Sequence, residues 1–181
     1  MNKNVIRILI IGLVAIFIVM IINIDISKKP ESIRKLSLRE MDDYIIDLYV
    51  NFDEENIGNY SKQELVIISV MMYDAEINNG GLCQFFVNSS RIFAPIISDS
   101  LEQIKALKHK EQFDNFIKQN KLDVNNLNSF MSDDVDEFIS QYERYSFDDF
   151  DMEYYELEQT ENLSNLMLEY AENNYDKIFK D

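Results

Sequence analysis

Residues 76–89 read EINNGGLCQFFVNS, a stretch that holds two of the four glycines in the 181-residue chain. Asn79-Gly80-Gly81 supplies positions that tolerate a positive φ, which predicts that one helix ends here and another starts at a sharp angle. Gln84 and Asn88 lie four residues apart and are expected on one helix face, with amides placed to bond backbone groups freed by the turn. We favour a structural turn, and a ligand-contacting loop is the alternative.

Helical patterns extend to both sides of this stretch. Apolar residues recur at three- and four-residue spacing from Leu38 to Phe52, which predicts an amphipathic helix. Ser61 and Glu64 form a capping box before an apolar run, so a central helix buried nearly all round should follow. Further helices are predicted over 92–107, 111–120 and 133–145, and from Thr160 onward. With only 4 Gly and 2 Pro, the predicted fold class is all-α, a compact multi-helix domain with an N-terminal transmembrane helix.

The charge is strongly acidic and unevenly distributed. The chain has 17 Lys and Arg against 33 Asp and Glu, and residues 122–181 alone hold 17 of the acids and three bases. Because a phosphate backbone requires a basic footprint, this balance argues against direct nucleic-acid binding. The single cysteine, Cys83, excludes an intrachain disulfide framework, and we expect it to be buried and inert. His109 is expected on an exposed helix surface, and the sequence predicts no catalytic, cofactor-binding or metal-binding residue.

The first 24 residues predict a membrane anchor. No polar side chain occurs from Ile8 to Ile22, and the twenty residues from Val5 to Ile24 would span about 30 Å as a helix, the thickness of a bilayer core. A cleaved signal peptide is the alternative, although no small-x-small site follows. We therefore divide the chain into an anchor over 1–24, a polar spacer over 25–37 and a domain over 38–181. Basic residues flank the anchor on both sides, so the side of the cell membrane on which the domain lies stays open.

Two motifs in the domain resemble the signature of the DNA-mimic protein nineteen family. The first is the string Asn-Gly-Gly-x-x-Gln-Phe-Phe-x-Asn-Ser over 79–89, and the second is the segment FDMEYYEL over 150–157. The resemblance covers about residues 40–178. It implies an all-helical domain whose surface carboxylates imitate DNA phosphates and occupy DNA-binding proteins. The chain departs from the family pattern at Leu82, where an aromatic residue is common, and in the anchor that precedes the domain.

Clustered acids in the C-terminal third supply the predicted partner-binding surface. Duplex DNA presents about one charge per 1.7 Å of its axis, so a mimic needs dense acids with few bases between them. A solvated face that only keeps the protein soluble is the alternative. The predicted function is a membrane-anchored acidic protein, not an enzyme, that binds a basic protein such as a DNA-binding protein. An immunity-type protein that neutralises a toxin at the membrane is the alternative. The predicted surface residues are Asp133, Asp134, Asp136, Glu137, Asp148, Asp149, Asp151 and Glu153.

Overall fold

The computed structural model describes residues 35–131, 139 and 142–179 of the chain. No strand occurs among them, so the all-α prediction is confirmed for the described part of the chain. The described helices lie in one unit, Ser37–Asp181. They are α1 Leu38–Val50, α2 Lys62–Val87, α3 Ala94–Gln103, α4 Leu107–Asn120, α5 Phe147–Glu158, α6 Leu163–Asn173 and α7 Tyr175–Ile178, with short 3-10 helices at Glu54–Asn59, Ser89–Phe93 and Asn128–Phe130.

Helix α2 lies at the centre because its first half is apolar on every side. All five residues of 66–70 are buried, and the helix contacts α1, α3, α5, α6 and α7. Its N-terminus carries the predicted capping box. The hydroxyl of Ser61 accepts from the Glu64 N–H at 3.2 Å, and the Glu64 carboxylate accepts from the Ser61 N–H at 2.6 Å. The prediction of a buried central helix is therefore confirmed.

An aromatic cluster joins the second half of α2 to α5. The ring centroid of Phe86 lies 5.2 Å from that of Phe130 and 6.2 Å from that of Phe147. On the preceding turns of α2, Tyr73 packs edge-on against Tyr154 at 6.0 Å. Buried aromatic side chains contribute large apolar areas and favour such tilted and edge-to-face contacts. These contacts hold α5 against the glycine-containing part of α2.

Helix α1 begins at Leu38, as predicted, after a capping box formed by Ser37 and Glu40. Three other predicted helix boundaries differ from the structure. The helix predicted over 92–107 ends earlier because Lys105 has a φ of +68°, and α4 then begins at Leu107. Helix α6 begins after Asn162, whose side chain accepts from a backbone N–H of the first turn. Each difference arises at a cap or a left-handed residue, which hydrophobic periodicity does not report.

Two predictions lie outside the described residues. They are the membrane anchor over 1–24 together with most of the spacer, and most of the helix predicted over 133–145. Among the residues that are described, no helix has both the length and the apolar character needed to cross a bilayer.

Candidate functional site

Helix α2 is interrupted at its two glycines, and an aspartate from α5 caps the interruption. Gly81 has φ +79° and ψ 177°, a combination open essentially to glycine alone. The backbone N–H of Leu82 donates to Asp151 Oδ1 at 2.9 Å, and a Cβ on Gly81 would lie 2.0 Å from Asp151 Oδ2. Asp151 therefore fills the space that glycine leaves and acts on the restarted helix as an N-cap does. The predicted break is confirmed, with the positive φ at Gly81 and not at Asn79 or Gly80.

The amides of the glycine motif bind a carboxylate. Gln84 Nε2 and Asn88 Nδ2 donate to Glu76 Oε2 at 2.7 and 2.8 Å, and Ser90 Oγ donates to Glu76 Oε1 at 2.9 Å. The prediction that Gln84 and Asn88 bond freed backbone groups is therefore wrong. The break turns the two amides toward Glu76, and an ionised acceptor forms stronger hydrogen bonds than a carbonyl. Glu76 thereby ties together the parts of α2 before and after the break.

The two tyrosines of the second motif bind α2 just before the break. Tyr154 Oη donates to Asp74 Oδ1 at 2.5 Å, and Tyr155 Oη donates to the backbone oxygen of Ile77 at 3.1 Å. Asp151, one turn earlier on α5, bonds the helix just after the break. The two motifs that carry the family resemblance therefore form a single interlocked unit, which we call the α2–α5 clamp: Asp74, Glu76, Ile77, Gly81, Leu82, Gln84, Asn88, Asp151, Tyr154 and Tyr155.

His109 is buried, which corrects the prediction of an exposed helix residue. Its ring is fully enclosed and packs 5.0 Å from the ring of Tyr154. Its Nε2 lies 3.2 Å from Glu158 Oε1 and 3.0 Å from the backbone oxygen of Glu161. The lysines on either side of His109 favoured an exposed position. The first turn of α4 lies against the end of α5, however, and this contact encloses the imidazole.

Burial alters the acid–base behaviour of groups in and beside the clamp. It raises the pKa of the Asp74 and Asp151 carboxyls above the ordinary aspartate value. Burial, with a smaller contribution from the charge of Asp151, raises the pKa of the Cys83 thiol to about 11. Cys83 is buried, as predicted. A thiol with a raised pKa forms little thiolate at neutral pH and is a poor nucleophile.

Four exposed carboxylates project from α5, and we call them the α5 acidic surface: Asp148, Asp149, Glu153 and Glu156. The first three were predicted to bind a partner. Asp151, predicted with them, is instead half-buried in the clamp because its carboxylate accepts the Leu82 N–H. The remaining predicted surface residues lie outside the described residues, and they are Asp133, Asp134, Asp136 and Glu137.

No base among the described residues forms an ion pair with the α5 acidic surface. Helix α5 itself contains six acids and no base. The ion pairs among the described residues lie elsewhere, and they are Lys105–Glu169, His109–Glu158, Lys110–Glu102 and Lys110–Asp114. One member of the surface has an internal role as well, because Asp148 accepts a 2.5 Å hydrogen bond from Tyr142 and thereby raises the pKa of that phenol to about 12. Within residues 35–131, 139 and 142–179, no base neutralises the charge of this surface.

Residues 58–174 match the family model described as DMP19-like protein. The chain belongs to this family. The DMP19-like match includes both motifs and the whole clamp, and it begins after α1, later than the extent of about 40–178 expected from the sequence. DMP19-like membership is consistent with a protein of DNA-mimic type. No curated protein and no solved structure matches the chain.

The DMP19-like domain uses two acids that sequence reasoning missed. Asp74 and Glu76 stand on the central helix between buried Tyr73 and Ile77, where an acid needs a bonding partner. That conflict between acidic side chains and an apolar helix was the available signal. Within the described residues, no group of three or more His, Cys, Asp or Glu side chains could hold a metal ion. The clamp supplies structural hydrogen bonds, and the α5 acidic surface carries negative charge that no base among the described residues pairs with.

Proposed function

We propose that this protein is an acidic interaction protein that binds the basic surface of a DNA-binding protein in place of DNA. The observation that carries the proposal is the α5 acidic surface, whose carboxylates are exposed and free of ion pairs with described residues. Membership of the DMP19-like family supports the same interpretation. The clamp supports it too, because a mimic must present its charges on a rigid element, and the clamp fixes α5 to the central helix at three points.

The spacing of the charges on α5 can be compared with the spacing of DNA phosphates. Asp149, Glu153 and Glu156 follow one another at four- and three-residue spacing, so they share one helix face. They span about 10 Å at 1.5 Å per residue, a length over which duplex DNA presents about six charges. This row therefore supplies about half the required density. The rest of the charge pattern comes from other acids, for which the sequence offers Asp133, Asp134, Asp136 and Glu137 in the segment before α5.

The binding test uses two variants of equal charge. Asp149→Asn/Glu153→Gln/Glu156→Gln neutralises the row on α5, and Asp42→Asn/Asp43→Asn/Glu55→Gln neutralises three exposed acids elsewhere. Each is compared with the parent chain in binding to purified DNA-binding proteins at low and at high salt. We expect binding that weakens steeply with salt, is lost in the α5 variant and persists in the control. Equal behaviour of the two variants, or no salt-sensitive binding by the parent, would overturn the proposal.

In this proposal residues 1–24 tether the acidic domain to the cell membrane as a single-pass anchor. The support is the apolar run from Ile8 to Ile22, bounded by basic residues. The parent chain should sediment with membranes and resist extraction at high pH, while a chain lacking residues 1–24 should not. A reporter fused to the C-terminus should place the domain in the cytoplasm, where DNA-binding proteins occur. An external reporter would contradict a DNA-binding partner, and a parent chain found in the supernatant would contradict the anchor.

A further inference from the structure

A groove of about 410 Å³ lies beside the α5 acidic surface, between α4 and α5. One wall carries the amides of Asn115 and Gln119, and the other carries the carboxylates of Asp149 and Glu153. These four side chains are exposed, and they form no hydrogen bond or ion pair with any described residue. The walls therefore offer hydrogen-bond acceptors and two negative charges that no described residue binds.

Gln112 is the buried member of the groove lining, and its amide is only half satisfied. The residue is 5% exposed, and its Nε2 donates to the backbone oxygen of Phe150 at 2.7 Å. Its Oε1 is buried and has no hydrogen-bond partner among the described residues. The amide cannot be reversed to remedy this, because Oε1 would then face another acceptor, the Phe150 oxygen. Buried acceptors without partners are uncommon, and Gln112 Oε1 is an acceptor of the groove lining that the described residues leave without a donor.

These features together define the ligand by its chemistry. It must donate several hydrogen bonds, carry positive charge, and fit beside aromatic side chains, since Phe116, Tyr145 and Phe150 also line the groove. A guanidinium meets all three conditions, because it has five donors in a planar fork that pairs with carboxylates and stacks on aromatic rings. The Tyr145 ring already has one such group near it, the guanidinium of Arg144 at 6.0 Å from the ring centroid. An ammonium has a compact charge and no planar face.

We propose that this groove receives an arginine side chain of the basic partner, an inference that rests on the proposed function above. Asp149 and Glu153 pair with the guanidinium, and Gln112 Oε1 accepts a hydrogen bond at the base of the groove. The groove thus adds selectivity for arginine over lysine to a surface whose other contacts depend on charge alone. Arginine-rich DNA-binding surfaces are then preferred over lysine-rich ones of equal net charge.

The test compares labelled octa-arginine and octa-lysine by fluorescence anisotropy with the full chain at fixed salt. We expect octa-arginine to bind about tenfold more tightly, as bidentate pairing with carboxylates allows. Asp149→Asn/Glu153→Gln should remove this preference, while the control Asp42→Asn/Asp43→Asn should weaken both peptides equally and keep it. Gln112→Met should weaken octa-arginine about fivefold, the value of about one hydrogen bond, with thermal unfolding confirming that the variant is folded.

The outcomes separate this inference from the proposed function. Salt-sensitive binding of both peptides with equal affinity would overturn the arginine groove and leave the acidic binding function intact. If the groove variant and the control variant lost binding of both peptides to the same extent, the arginine groove would also be overturned and the acidic binding function would stay intact. Failure of the parent chain to bind either peptide at low salt would count against both the groove and the acidic binding function.

Discussion

Replacing Asp151 with alanine removes the carboxylate that caps the interruption of α2. The Leu82 N–H that it accepts belongs to a fully buried residue. A buried donor that loses its acceptor costs about 1–3 kcal/mol. Burial of the carboxylate, which raises its pKa, offsets part of the benefit of this hydrogen bond. We therefore expect Asp151→Ala to lower the free energy of unfolding by about 2 kcal/mol at neutral pH.

Asp151→Asn is the matched variant, because its amide oxygen can accept the same hydrogen bond without a buried charge. Its stability should stay within about 0.5 kcal/mol of the parent. Urea unfolding followed by circular dichroism measures both variants, and an unchanged m-value would show that the unfolded states are comparable. Equal losses in the two variants, or a loss below about 0.5 kcal/mol in the alanine variant, would refute the capping role.

Gly81→Ala probes the same contact from the opposite side. The new Cβ would lie 2.0 Å from Asp151 Oδ2, and the backbone conformation at Gly81 adds strain of about 1–3 kcal/mol for alanine. Removing the carboxylate relieves the clash but not the strain. The double variant Gly81→Ala/Asp151→Ala should therefore lose less stability than the sum of the single variants. Additive losses would show that the two residues do not meet in this way.

Three further predictions concern the clamp and its surroundings. Glu76→Ala should lower the free energy of unfolding by about 3 kcal/mol, because three hydrogen bonds are lost. A loss under about 1 kcal/mol in urea unfolding would contradict the stabilising role of these hydrogen bonds across the interruption of α2. Native Cys83 should resist alkylation by iodoacetamide at pH 8 and react on unfolding, since it is buried and its pKa is raised to about 11; rapid labelling of the native chain would show an accessible thiol. Burial raises the pKa of Asp74 in the folded state, so the stabilisation from its protonation is fully present below the unfolded value and is lost as pH rises through the folded value. Asp74→Asn should therefore flatten the decline in stability from acid toward neutral pH, measured as Tm against pH, and an unchanged slope would argue against a buried charge at this position.

The parts of the fold that the sequence predicts are those determined by a few residues close together in the chain. The capping box of Ser61 and Glu64 starts the central helix, and the apolar run after it predicts its burial. The Gly80-Gly81 pair predicts the break because glycine takes a positive φ readily, and Gly81 has one in the structure. The exposure of Asp148, Asp149 and Glu153 follows from their charge, although no helix was predicted over Phe147–Glu158. Each of these inferences uses contacts within about one helical turn.

The parts that sequence does not predict depend on contacts between distant segments. Asp151 looks like its exposed neighbours, and it caps Leu82 because α5 packs on α2, 69 residues away in the chain. Gln84 and Asn88 were expected to bond backbone, but the turn presents them to Glu76. His109 stands between lysines and is nevertheless buried by the end of α5. Composition and periodicity report how polar a segment is, and only the packing decides which of its polar groups are enclosed.

The most direct test of the proposed function is a displacement experiment. A fluorescent DNA duplex is bound by a purified DNA-binding protein, and the full chain is titrated into the complex while the anisotropy of the duplex is measured. We predict that the duplex is released, that release weakens steeply between about 50 and 200 mM salt, and that the Asp149→Asn/Glu153→Gln/Glu156→Gln variant releases far less. A duplex that stays bound across a panel of DNA-binding proteins at every salt concentration would contradict the proposal that this acidic domain takes the place of DNA.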